Sequence, residues 1–180
     1  MTGAGALSVP VLETARLLLR GHRHDDFGLL AQAWADPAVM RFLGGKALAR
    51  DEAWGRMLRF PGLWHLLGYG YWAIEEKAGG RCIGSIGYAD FKREIEPPLG
   101  DLPELGWMLA ADAHGKGYAS EALAAVLAWG RTHFGAHRAV CIIDAENTPS
   151  VRMASKAGFV FSHEAVFRGA PIQVYVRDEE

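Results

Sequence analysis

The chain has 180 residues, with 19 Lys and Arg against 21 Asp and Glu, a formal charge of -2. Half of the residues are hydrophobic and 22% are charged, which excludes a disordered chain and suits one self-sufficient domain spanning residues 1–180. The absence of a basic surplus argues against nucleic acid as the main partner, and no apolar run approaches the roughly 20 residues of a membrane-spanning helix.

The first residues, 1 to 10, are small and Gly-rich and read as a loose tail. They lack a basic stretch followed by a long apolar one, so no signal peptide is expected and the default location is the cytoplasm. Arg16 to Arg20 reads as the first strand. Asp25 and Asp26 are suited to cap a helix with Phe27, Leu30, Ala31 and Trp34 on one face. Asp36-Pro37 ends it. A second helix is expected around Arg50 to Arg59. The period then changes. Tyr71 to Lys77 and Arg81 to Phe91 form a hairpin around Ala78-Gly79-Gly80. After a loop marked by Pro97-Pro98 and Gly100-Asp101, Glu104 to Leu109 is a strand. A helix opening at Ala113 to Ala119 buries Leu123, Val126, Leu127, Gly130 and Phe134. Arg138 to Asp144 is apolar enough for a strand covered on both faces. Ser150 to Ala157 is a short helix ended by Gly158. Phe159 to Val166 and Ile172 to Arg177 close the chain as strands, the last of them a possible pairing edge for a second subunit. Monomer and homodimer both stay open. Cys82 and Cys141, far apart and in apolar runs, read as buried thiols.

The strand, Gly-rich turn and helix from Leu105 to Phe134 carry the strongest chemical signal. Gly115 and Gly117 let the backbone approach a bulky group. Amides of residues 115 to 120 would point out of the helix start, where the dipole is positive, and Lys116 adds charge at the edge. That is a site for an anion, most naturally a phosphate or pyrophosphate. It is not a P-loop, because Gly117 stands where Ser or Thr is needed. Nor is it a dinucleotide fingerprint, because Ser120 stands where the third glycine belongs. Taken alone, the turn is equally well explained as a tight strand-to-helix connection.

Five segments together resemble the GNAT acetyltransferase superfamily, and within it the branch that acetylates ribosomal-protein N-termini and related amines. They are Glu13-Thr14-Ala15-Arg16-Leu17-Leu18-Leu19-Arg20, Asp36-Pro37-Ala38-Val39-Met40-Arg41-Phe42-Leu43-Gly44, Glu104-Leu105-Gly106-Trp107, His114-Gly115-Lys116-Gly117-Tyr118-Ala119-Ser120-Glu121-Ala122, and Asn147-Thr148-Pro149-Ser150 followed by Lys156-Ala157-Gly158-Phe159. The resemblance covers Leu12 to Arg177. His114 departs from the Gln or Arg that usually opens the family's acyl-CoA loop. The implied architecture is α/β (α+β). It is a mixed, mostly antiparallel twisted sheet of about seven strands, with helices on both faces and a split between the fourth and fifth strands.

The resemblance implies an acetyl-CoA-dependent N-acetyltransferase that needs no metal. Its acceptor would be a primary amine, on a peptide or protein N-terminus or on a small molecule. It puts the CoA pyrophosphate on the amides of Gly115, Lys116, Gly117, Tyr118, Ala119 and Ser120, in a cofactor-binding loop opened by His114, and a carbonyl-polarising amide near Met108 or Leu109. It puts the pantetheine arm on Asn147, whose plain alternative is a turn residue. A carboxylate must take the amine proton. Glu104 is placed for this, on one strand face with Gly106 and Met108 and opposite Leu105, Trp107 and Leu109; its alternative is a solvated glutamate near a strand end. No Tyr stands on the helix after Asn147, so Ser150 is the candidate hydrogen-bond donor to the leaving sulfur, and helix capping is its alternative.

The aromatic stretch Trp54, Phe60, Trp64, Tyr69, Tyr71 and Trp72 lies where similar enzymes build the acceptor pocket, though core packing suits most of it. Glu94 and Glu96 can attract a cationic substrate or simply be solvated. His22 and His24, like His133 and His137, read as surface histidines. From another class, a non-catalytic acyl-CoA-binding sensor or interaction module fits the same loop.

Overall fold

A computed structural model describes residues 9–179. Residues 1 to 8 of the expected tail lie outside it. Val9 and Pro10 are not loose: Val9 packs on the core, and the Pro10 carbonyl accepts the Trp72 indole N–H at 2.7 Å.

Nine strands form one sheet: β1 (Leu12–Glu13), β2 (Leu17–Arg20), β3 (Tyr71–Glu76), β4 (Arg81–Ala89), β5 (Ile95–Glu96), β6 (Glu104–Leu109), β7 (His137–Ile143), β8 (Val160–Phe167) and β9 (Ala170–Glu179). The order across it is β1-β2-β3-β4-β6-β7-β9-β8-β5. Every pairing is antiparallel except β6 with β7. Seven longer strands match the expectation. The two-residue β1 and β5 are additions, too short to leave a period in the sequence. β9 lies between β7 and β8, so the final strand is not the free edge anticipated for a partner.

Helices α1 (Phe27–Ala35), α2 (Pro37–Met40) and α3 (Arg50–Leu67) pack on one face, where Leu30, Trp34, Met57 and Phe60 meet Ala73, Cys82 and Met108. Helix α4 (Tyr118–Phe134) and α5 (Thr148–Lys156) cover the other, where Leu123, Val126 and Leu127 meet Leu17, Leu19, Ile86 and Leu105. The central strands β3, β4 and β6 therefore send alternate side chains into two different cores. Both cysteines are buried, and burial pushes the Cys82 thiol up to about 11. No helix among the described residues is long and apolar enough to cross a membrane.

Two local expectations need correction. Helix α3 runs eight residues past Arg59 and carries Pro61 inside it. The missing backbone bond costs about 3 kcal/mol. Phe60 and Trp64, each 5% exposed, flank it, and burying such side chains returns roughly 1.5–3 kcal/mol apiece. Asp26 does not cap α1 with its side chain. Its carboxylate takes two Arg20 nitrogens at 2.8 Å and the Arg23 amide at 2.7 Å. Arg20 also donates to Glu75 at 2.6 Å. A buried guanidinium between two carboxylates fastens β2 to β3 and to the turn before α1.

Candidate active site

The site begins where β6 and β7 part. They share one parallel register pair, Glu104 with Val140, fixed by the Val140 amide on the Pro103 carbonyl at 3.1 Å. Beyond it the strands diverge and leave a wedge open toward Leu109. The Ala110 amide donates to Ile83 at 2.9 Å, which sets the alternation along β6. Glu104, Gly106 and Met108 turn their backbone groups to β4, opposite Ala89, Gly87 and Ser85. Leu105, Trp107 and Leu109 turn theirs toward β7. Of the two amides anticipated, that of Leu109 faces the wedge and that of Met108 does not. The Trp107 amide, not anticipated, joins it.

At the wide end of the wedge lies the Gly-rich loop. Gly115 (φ 73°) and Gly117 (φ 79°) are both left-handed, which explains glycine at each. The first helical backbone bond is from Glu121 to Gly117. The amides of Gly117, Tyr118, Ala119 and Ser120 therefore have no backbone acceptor among the described residues. His114 does not point at this group of amides; its Nε2 bonds the Leu109 carbonyl at 2.9 Å and ties the loop to the end of β6. The side chain of Tyr118 turns away to Glu76, so Tyr118 brings only its amide. Lys116 stands exposed at the rim.

A clamp behind this loop was not read from the sequence, although its residues lie in the first and fourth quoted segments. Glu121 accepts from Thr14 Oγ1 at 2.6 Å, the Arg16 amide at 2.8 Å and Arg16 Nε at 2.7 Å. Arg16 Nη1 donates to the Lys116 carbonyl at 2.9 Å, and its guanidinium lies 4.6 Å above the Tyr118 ring.

Across the wedge, Asn147 caps α5 by accepting the Ser150 amide at 3.3 Å. The capping role considered for Ser150 thus belongs to Asn147. The Ser150 hydroxyl accepts the Trp107 indole N–H at 3.2 Å, which joins α5 to β6 over the opening. Among the described residues its own proton has no acceptor, and neither has the Asn147 side-chain N–H2.

Glu104 is not a solvated glutamate: it is 6% exposed. Arg93 Nε reaches both of its oxygens, at 2.7 and 3.0 Å. With Phe91 and Arg93 it lines a cavity of about 220 Å³ under the 98–102 loop. Tyr71 comes in on the same face, its hydroxyl directly over Gly106. Burial, and then the charge of Glu104, keep that hydroxyl protonated far above the usual range. Tyr71 stacks on Phe60 at 4.9 Å, and these two members of the aromatic stretch share a core cluster with Met108, on the Glu104 face of β6. Trp64 and Trp72 instead pack against Trp129 in the opposite core. His22 is not a surface residue. It stacks on Phe60 at 4.5 Å and bonds Ser85 at 2.8 Å, and burial lowers its pKa to about 4. Glu94 and Glu96 are exposed.

The comparisons agree with this geometry. The model of the acetyltransferase (GNAT) domain matches residues 16–160. The uncharacterized N-acetyltransferase YnaD of Bacillus subtilis is 40% identical over 155 residues, covering 82% of this chain and 81% of its own. A GnaT-family acetyltransferase from Bordetella pertussis superposes with a TM-score of 0.80 at 30% identity, covering 94% of this chain and 99% of its own. RimL, a ribosomal L7/L12 α-N-protein acetyltransferase solved with coenzyme A, shares the fold with a TM-score of 0.75 at 17% identity, covering 94% of this chain and 98% of its own. With its wedge, its loop of free amides and a family match over most of its length, the chain belongs to the GNAT acetyltransferase family.

Proposed function

We propose that this protein transfers the acetyl group of acetyl-CoA to a primary amine, on a peptide N-terminus or a small molecule. The observation that carries the reading is the wedge between β6 and β7, which opens onto the amides of 117–120. That arrangement accepts a pyrophosphate at its mouth and a thioester further in. The neighbouring fold of RimL, solved with coenzyme A, supports the same co-substrate. The cytoplasm and a single catalytic domain, alone or as a homodimer, complete the proposal.

The chain's own groups suffice for the reaction. The amides of Trp107 and Leu109 stabilise charge on the thioester oxygen. The amine nitrogen attacks the carbonyl carbon, and Glu104 takes the surplus proton. The C–S bond breaks, the Ser150 hydroxyl donates a hydrogen bond that stabilises the departing thiolate, and the proton that Glu104 took passes to solvent, from which the thiolate is protonated. Asn147 donates to the pantetheine arm.

Thiol release from acetyl-CoA in the presence of amines and N-terminal peptides tests this. Glu104→Gln should lower kcat by about 10²–10⁴-fold and leave acetyl-CoA binding within about twofold. Tight acetyl-CoA binding with no thiol release from any acceptor would overturn the enzyme reading in favour of an acyl-CoA sensor.

A further inference from the structure

On the Glu104 side of the wedge, positive charge collects without balance. Arg93 commits only Nε to Glu104; its two terminal nitrogens have no acceptor among the described residues. The guanidinium is held between Phe91 and Phe167, at 4.7 and 5.0 Å from their centroids. Arg168 lies over the same Phe167 ring at 5.1 Å. On α3, Arg56 is half-buried beside Trp34, yet its acceptor among the described residues is the Met40 sulfur at 3.8 Å. No carboxylate comes within ion-pair reach of Arg56 among those residues. Burial, joined by the charges of Arg59, Arg93 and Arg168, holds its pKa below the ordinary arginine value. The charges of Arg93, Arg56 and Glu104 thus all act on Tyr71, which stacks on Phe60 and lies 5.9 Å from Phe91.

A partly buried guanidinium without a counter-charge is costly to desolvate, and an anion bound beside it offsets that cost. The free edge of Arg93 offers parallel N–H donors that match a planar carboxylate.

Building on the transferase reading, we propose that the acceptor amine carries a carboxylate, bound by Arg93 and Arg56 beside Glu104. The carboxylate belongs either to a free amino acid or to an acidic side chain beside a peptide N-terminus.

Matched acceptors separate these sources. Thiol release is measured for free amino acids against their carboxamides, and for peptides with Asp second against the same peptides with Asn. In at least one series the carboxylate member should show about tenfold higher kcat/KM, equivalent to about 1.4 kcal/mol, mostly through KM. Preference confined to the first series identifies a free amino acid, and preference confined to the second identifies an acidic peptide. Arg56→Gln and Arg93→Gln should each narrow that ratio toward one, with acetyl-CoA binding confirming that the variants fold. Equal turnover within twofold in both series, or a preference for the amides, overturns the proposal. Acetyl-CoA binding with no thiol release from any acceptor overturns the transferase reading itself.

Discussion

Gly106 is the position where one methyl group tests the site most sharply. A Cβ there would overlap the Tyr71 hydroxyl oxygen, with the ring carbon Cζ behind it at 3.3 Å. Tyr71 cannot swing aside, since its ring is stacked on Phe60 at 6° and is fully packed. Overpacking of this kind costs about 1–3 kcal/mol. In a chain of this length that lowers Tm by about 2–4 °C per kcal/mol. Tyr71→Phe removes the overlapping atom and leaves the 3.3 Å contact, which small shifts absorb. The Tyr71 hydroxyl makes no hydrogen bond among the described residues, so Tyr71→Phe alone should cost less than about 1 kcal/mol. Urea denaturation of wild type, Gly106→Ala, Tyr71→Phe and the double variant completes a cycle. The double variant should be more stable than Gly106→Ala, with a coupling of about 1–2 kcal/mol. If Gly106→Ala matches wild type, or Tyr71→Phe restores nothing, then Tyr71 does not stand over Gly106 beside Glu104.

Ser150→Ala should lower kcat by about tenfold or less, the value of one hydrogen bond to the leaving sulfur; steady-state kinetics with saturating acceptor measure it. Arg16→Ala frees the Lys116 carbonyl and Glu121, and should raise the Kd of CoA by about three- to tenfold, modest because Arg16 is half exposed; calorimetry reads it directly. His22 has a folded pKa of about 4, below its ordinary 6.5. Its contribution is therefore complete above pH 6.5 and is lost as the pH falls toward 4, reaching about 2 kcal/mol at pH 5. His22→Gln should flatten that part of the pH–stability curve in urea titrations at pH 7.5 and 5.

Much of the scaffold of this site was legible in the sequence. The limits of β6 coincide with the expected Glu104 to Leu109, because apolar alternation ends in a run of turn residues on either side. Gly158 announced its positive φ correctly, since few other residues adopt it without strain; Gly115 and Gly117, read for close approach of a bulky group, have positive φ as well. What escaped depends on contacts between distant segments. Glu104 looked solvated because Arg93, its partner, reaches it only when the 90–102 segment folds over the strand end. The Ser150 hydroxyl found Trp107 across 43 positions, and no local spacing encodes that. Asp26 read as a cap because Asp before an apolar helix usually is one, yet the buried Arg20 outcompeted the helix amides for its oxygens.

Calorimetric titration with acetyl-CoA, using CoA and ATP as controls, tests the central claim most directly. The account predicts micromolar binding of acetyl-CoA and CoA and none of ATP. A folded sample that binds neither thioester nor thiol would contradict it, and would reduce the 114–120 loop to a structural turn.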